Sequence, residues 1–488
     1  MSLLEAGHYH RFDAAGRPFV YLVNSAAVFG IDPTADAVLK ALEGHQRSRE
    51  DLLDVLSPAY DRTDLEETIT ELERVRAIAG PPAPIEAKTQ KPKKVFPLTP
   101  FPVTTTVINV TNQCNLGCTY CYEYGDDKIV DTKTNGKPKF MTEETAKDSV
   151  DFALKEAGSN KMAHITFFGG ETLLNFRVLK KAIAYARGRA ADVGKDIDFS
   201  LTTNATLLTP EIIEFLAENQ VGVTISMDGP KELQNKFRVF HNGQGSYDVV
   251  APKVKALLAR HRSRPIGARV TLTSGVLDVT RIYRHLTEEI GFHEVGFAPV
   301  TSKDARSWAI DGNGMDQVLA EFVKLGHEWL EAAVENRHHG FSNVRETLQE
   351  IHQGMSKAYP CGAGLGLVGV STDGQVALCH RFAGSDEHKI GDVKSGIDRG
   401  AQRDFLESHH IDEKPDCNSC FARPMCSGGC YHEAHTRYGD TTHANLHFCG
   451  WVRGWTDACL RIYGELAERN PSYLAQFDSP DAAGERVS

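Results

Sequence analysis

Cys114, Cys118 and Cys121 stand in the spacing C-x3-C-x2-C within CNLGCTYCYEYG. Three thiolates can hold only three corners of a four-iron cluster. A structural metal site is normally closed by four protein ligands, whereas a site that does chemistry keeps a position open. The segment just ahead, VTTTVINVT from Val103 to Thr111, alternates apolar and polar residues as a half-buried strand does. The cysteine loop therefore leaves the end of a strand, where parallel α/β proteins place their active sites. Taken alone, three clustered cysteines are also compatible with a zinc loop.

The pattern that follows sets the fold class. Strand-like runs (HITFFGG, DFSLTTN, VGVTISMDG, ARVTLTS, EVGFAPV) alternate with amphipathic stretches such as Thr142–Ala157 and Ser246–His261. Strand–helix repetition of this kind predicts an α/β chain with a parallel sheet. Six repeats are too few for the eight of a closed barrel, so a partial, open (β/α)6 barrel is expected. An open side leaves room for a macromolecular substrate.

Around this centre the chain divides further. Residues 1–80 combine strand-like FVYLVNS and AVFGID with three short helices, one opening at Asp32-Pro33 as a cap followed by proline. That content fits a small winged-helix-like module. Residues 81–100 form a linker in a Pro- and Lys-rich stretch that runs to Pro102. The barrel spans 101–305, a helical bridge 306–354, a cysteine-rich domain 355–465 and a tail 466–488. The net charge of −11 opposes a general nucleic-acid or membrane binder. No apolar run nears the roughly 20 residues that cross a bilayer, and the start MSLLEAGHYHRFD lacks a signal-peptide pattern. A cytoplasmic location is expected, where the eleven cysteines would stay reduced and favour metal ligation over disulfides.

Several residues after the strands are candidates for ligand contact. Gly169 and Gly170 let backbone approach a ligand, and Glu171 offers an anionic acceptor. Asn204 and Ser226 close the third and fourth strands. Arg269 is a charge within an apolar strand, and such a residue is rarely buried unpaired. Asp228, beside Gly229, is read either as a turn cap or as a proton acceptor facing the substrate.

Seven more cysteines follow. Cys361-x12-Gly374-x4-Cys379 precedes Cys417-x2-Cys420-x5-Cys426-x3-Cys430, with Cys449 after a gap. One or two zinc knuckles would also explain the four-cysteine block. Cys459 lies on an amphipathic stretch as a buried free thiol, and His380 in CHRFAG reads as structural.

The triad with Tyr120 before its last cysteine resembles the radical S-adenosylmethionine (SAM) superfamily. The seven-cysteine order resembles the SPASM extension of its peptide-modifying members. That resemblance implies SAM chelated by the open iron, with Gly169, Gly170 and Glu171 at its ammonium and Asn204 and Ser226 beside its ribose and carboxylate. It also implies that Tyr120 contacts the cofactor and that Arg269 pairs with the SAM carboxylate. Three [4Fe–4S] clusters follow: the triad, a first auxiliary cluster on Cys361, Cys379 and Cys430, and a second on Cys417, Cys420, Cys426 and Cys449. Some relatives carry an eighth cysteine where this chain has Leu367, so the first auxiliary cluster has an open iron or another ligand. Residues 1–80 resemble PqqD-like modules, which bind a leader peptide as an added strand.

The whole chain resembles the quinohemoprotein amine dehydrogenase maturases. The expected activity is then a thioether crosslink between cysteine sulfur and an Asp or Glu methylene in a small protein subunit. A reduced flavodoxin- or ferredoxin-type donor would supply electrons. A formylglycine-forming relative of the anaerobic sulfatase maturases, and a non-catalytic metal-bearing peptide scaffold, are the alternatives.

Overall fold

The computed structural model describes residues 3–80, 100–123, 125–130, 136–303 and 305–478. The linker over residues 81–99 and the end of the tail lie outside them. The chain opens with β1 (Leu3–Ala6), β2 (Tyr9–Ala14), β3 (Arg17–Leu22) and β4 (Ala27–Gly30), followed by short β5 (Arg47–Ser48) and β6 (Ile78–Ala79). Strands β2, β3 and β4 form an antiparallel meander, and β1 lies between β5 and β6. Helices Pro33–Leu42, Arg49–Leu56 and Arg62–Arg74 start at Asp32, Ser48 and Asp61, each of which accepts hydrogen bonds from backbone amides of the first turn.

The two-residue period of β3 decides how this segment is seated. Val20 and Leu22 face one way and join Val38, Leu39, Leu65 and Ile69 in a local core. Phe19 and Tyr21 face the other way and join the main core of the protein with Phe12. The surface they meet is helix Cys449–Arg469, where a Cβ on Gly464 would lie 2.7 Å from Ala14 Cβ. Ion pairs rim the contact: His10 to Asp457 at 2.7 Å and Arg17 to Glu468 at 3.1 Å. The meander is therefore packed into the body of the protein and is not carried by a linker alone.

Six parallel strands follow: β7 (Thr105–Thr111), β8 (Met162–Gly169), β9 (Asp196–Thr203), β10 (Gly222–Ser226), β11 (Ile266–Leu272) and β12 (Glu294–Pro299). They neighbour one another in sequence order, with helices such as Glu143–Glu156, Phe176–Asp192 and Tyr247–Arg260 between them. All six expected strands are present. The sheet does not stop at β7, however. Strand β13 (Leu367–Val370) pairs parallel to its free edge, and β14 (Gln375–Ala377), β15 (Lys389–Asp392) and β16 (Gly396–Ile397) extend it antiparallel to ten strands. The cysteine-rich segment thus shares the main sheet, and Leu367 is committed to that pairing opposite Thr105. Among the described residues no helix is long and apolar enough to cross a membrane.

Candidate active site

Because β7 to β12 are parallel, the loops after them gather at one end of the sheet. The cysteine loop after β7 is pinned by backbone bonds, Gly117 N to Val239 O at 2.8 Å and Gly125 N to Cys121 O at 2.7 Å. A Cβ at Gly125 would lie 2.3 Å from Thr119 O, so only glycine lets the loop close this tightly. Gly169 takes φ +130°, and a Cβ there would meet Thr111 O at 2.2 Å. Its freedom lets the β8 loop lie directly against the entrance of the cysteine loop.

Together these loops enclose a cavity of about 510 Å³ lined by all three triad cysteines. Of the residues assigned to SAM, Tyr120, Gly169, Gly170, Asn204, Ser226 and Arg269 line it. Asn204 donates to Asn115 Oδ1 at 3.0 Å and reaches Cys114 Sγ at 3.8 Å. Arg269 stands opposite Ser226 in the sheet register, and Glu346 is the acidic side chain whose charge acts on it.

Two of the candidate residues lie outside that lining. Glu171 is 1% exposed and does not line the cavity. Its carboxylate accepts from Thr203 Oγ1 (2.6 Å), Asn204 N (2.8 Å) and Leu173 N (3.0 Å), and burial raises its pKa. It caps the turn that follows and holds the Asn204 backbone. Asp228 is likewise absent from the lining. Both its oxygens are taken, by Arg238 at 2.7 and 3.1 Å, Tyr120 Oη at 2.6 Å and Thr271 N at 2.9 Å. It fixes Tyr120 and Arg238, which do face the cavity.

A second cavity of about 250 Å³ is lined by Cys417, Cys420, Cys426, Cys430 and Cys449. Cys361 and Cys379 lie near Cys430, whose charge raises the pKa of each after the larger effect of burial; the Cys379 thiol is pushed up to about 12. The two cavities share a wall of Ala298, Pro299, Thr301 and Arg381. Sequence reasoning missed Arg381. Its only signal there is a cation two residues after a cysteine, in CHRFAG.

The donors gathered in the two cavities are thiols, soft ligands that suit an iron–sulfur cluster or zinc. All eleven cysteines are free thiols, and Cys459 is buried as expected. Lys414 is buried with no hydrogen bond to its ammonium, which lies over the Tyr431 ring at 5.5 Å; burial lowers its pKa, against the opposing charges of Cys417, Cys426 and Cys361. A buried cation facing thiols suits an anionic group held by thiolates. His380 lines the triad cavity against Phe168, and burial holds its pKa down at about 3, so it is neutral.

Residues 108–281 match the profile of the Radical SAM superfamily. That stretch carries a radical SAM domain, and the relatives matched beyond it are enzymes. The superfamily chemistry uses a [4Fe–4S] cluster and SAM, and the triad cavity offers three soft thiol donors with an open fourth side. The cysteine-type anaerobic sulfatase-maturating enzyme of Clostridium novyi (strain NT) is 24% identical over 354 residues, 70% of this chain and 90% of that relative. The radical SAM cyclopropyl synthase TigE of Paramaledivibacter caminithermalis is 23% identical over 358 residues, 70% of each chain. The structure of native anSMEcpe with bound AdoMet and Cp18Cys peptide superposes with a TM-score of 0.61 at 21% identity, covering 76% of this chain and 98% of that one. The superposition establishes a shared fold.

Proposed function

We propose that the protein is a radical SAM peptide maturase that joins cysteine sulfur to an Asp or Glu methylene carbon within a small protein subunit. The observation that carries the reading is the shared wall between the triad cavity and the cysteines behind it. A substrate at that wall meets the site of hydrogen abstraction on one side and sulfur-binding ligands on the other. The triad cysteines would hold the first cluster; Cys361, Cys379 and Cys430 would hold a second, and Cys417, Cys420, Cys426 and Cys449 a third. When bound, the first cluster and SAM supply one-electron cleavage of SAM and hydrogen-atom abstraction from unactivated carbon. Arg269 and Ser226 orient the SAM carboxylate, and the Gly169–Gly170 backbone contacts the ammonium.

Forming the crosslink removes one S–H and one C–H hydrogen. One leaves as the abstracted hydrogen atom; the other leaves as a proton and an electron, and clusters held by the rear cysteines would supply an acceptor for that electron. A reduced flavodoxin- or ferredoxin-type protein starts each cycle. Residues 1–80 recruit the leader peptide as a strand added to the edge of β4, which has no strand on its outer side among the described residues.

Mass spectrometry of an amine dehydrogenase small subunit co-expressed with the enzyme tests this directly. The expected product has lost two hydrogens per crosslink and carries cysteines that no longer react with alkylating agents. A second reading, formylglycine formation, is favoured by the names of the sulfatase-maturating relatives. It predicts an aldehyde that a hydrazide reagent captures and no sulfur–carbon link.

A further inference from the structure

Outside the two cysteine-lined cavities, three further metal-ligating side chains converge. Glu387 and His388 stand just ahead of β15, and His435 lies in the last turn of helix Tyr431–Tyr438. Each offers one ligand atom, and the three atoms lie within 4.8 Å of one another. Packing brings the two imidazoles to this point. His388 is buried and stacks on Phe382, with ring centres 4.1 Å apart and planes at 21°. His435 meets the same phenyl ring edge-on at 6.1 Å, and stands edge-on to His388 at 4.8 Å. One fully buried aromatic ring thus holds both imidazoles side by side.

These donors are not spent on other partners. Ser385 Oγ lies 2.8 Å from Nδ1 of His388, which leaves Nε2 free to ligate. A hydrogen bond to one ring nitrogen is the device that fixes the ring and tautomer of a metal-binding histidine. Among the described residues the half-buried His435 ring makes no hydrogen bond, and the exposed Glu387 carboxylate makes no ion pair. We infer that Glu387, His388 and His435 form a zinc site, two imidazoles and a carboxylate, with the fourth position left to solvent. Zinc bonds of about 2.0–2.1 Å set tetrahedral donors about 3.4 Å apart, so side-chain rotation has to close at most about 1.4 Å. Imidazole with carboxylate suits zinc, whereas the thiols of the two cavities suit iron–sulfur groups. The site would join two segments that each start at a cysteine. Cys379 opens the turn His380–Phe382 that leads to His388, and Cys430 precedes the helix that carries His435. With one ligand exposed and one position open, the metal exchanges with solution. The site is independent of the peptide chemistry proposed above.

The test takes the full-length enzyme carrying its iron, strips loosely held metal on a chelating resin, and titrates it anaerobically with zinc chloride. One zinc per chain should bind with iron content unchanged. X-ray absorption at the zinc edge should show nitrogen and oxygen at about 2.0–2.1 Å with imidazole scattering, and no sulfur at about 2.3 Å. Ser385→Ala should weaken binding about tenfold, the scale of losing the partner that orients a ligating imidazole. Glu387→Gln and His435→Ala should each weaken it by more; Glu387 is exposed, so its replacement leaves the core untouched. Because the ligands meet only in the folded chain, saturating zinc should raise the urea midpoint of the wild type but not of Glu387→Gln/His435→Ala. No stoichiometric uptake by wild type overturns the assignment before any variant is made. A sulfur shell at about 2.3 Å does the same by placing the zinc on cysteines. Uptake undiminished in both Glu387→Gln and His435→Ala puts the metal elsewhere and overturns it too.

Discussion

The cavity at the strand ends and the cavity behind it are both lined with cysteine, yet they are built for different occupants. In the first, three cysteines share the walls with glycine backbone, Asn204, Ser226 and Arg269, about 510 Å³ in all. In the second, half that size, five cysteines crowd one space and buried Lys414 lies close by. The first has more room and more hydrogen-bonding groups than a cluster alone needs, which suits ligands that come and go. The second has thiols as its dominant polar lining, the donors a bound metal group would use. Catalysis and electron handling would then be divided between two compartments with Arg381 at the boundary.

The sharpest way to break that division is to remove each set of thiols. Replacing Cys114, Cys118 and Cys121 together by Ala should abolish deoxyadenosine formation from SAM, since no iron with an open position remains. Replacing Cys417 and Cys420 should leave measurable SAM cleavage while crosslinked product disappears. Metal analysis of the anaerobically reconstituted wild type should give about twelve irons per chain and little zinc, as three four-iron clusters require. Normal product from the second variant would reduce the rear cavity to scaffolding, and stoichiometric zinc with about four irons would remove its clusters altogether.

A smaller effect is expected where the front cavity is held in shape. Asp228 joins β10 to Tyr120, Arg238 and the start of Thr271, so Asp228→Ala strands a buried guanidinium. Removing one member of a buried pair costs about 3–5 kcal/mol. Urea unfolding of the full chain should show a loss of that order, and Asp228→Ala/Arg238→Met should recover part of it. A base with no structural task would behave differently: activity would fall, unfolding would be unchanged, and the second substitution would rescue nothing.

How much of this was legible in the chain depends on the range of the interaction. The six strands, the helices and the cysteine loop follow from short-range periodicity and spacing, and they stand where those signals put them. Asp32 and Pro33 announced a helix start from adjacent residues. The hydrogen-bond partners of Glu171 and Asp228 were not legible, because a carboxylate at a strand end looks the same in sequence whether it turns toward a ligand or into the protein. The partners that settle it lie 32 residues away at Thr203 and 10 away at Arg238. The pairing of β13 with β7 joins Leu367 to Thr105, and no local pattern encodes such a contact. Arg381 belongs to the same class, because only the meeting of two distant segments makes it a boundary.

The smallest effect concerns the N-terminal meander, which contrasts with both cavities in lacking any cysteine. Deleting residues 1–80 would be a blunt test, since Phe12, Phe19 and Tyr21 are part of the main core and their loss would uncover helix Cys449–Arg469. A point change on β4 is cleaner. Phe29 is 40% exposed on this edge strand, paired inward only with Val20 of β3. An unpaired strand edge with an exposed aromatic is a place where another chain can add. Phe29→Asp puts a charge on that edge without emptying any core. For a leader-bearing small subunit the KM should rise about tenfold, the scale of one well-placed interface side chain, while turnover at saturation holds. A leaderless core peptide should show the same KM with both enzymes, because it never uses the edge. If Phe29→Asp leaves the KM of the leader-bearing substrate unchanged, β4 is not the docking strand, and residues 1–80 serve instead to brace the C-terminal helix.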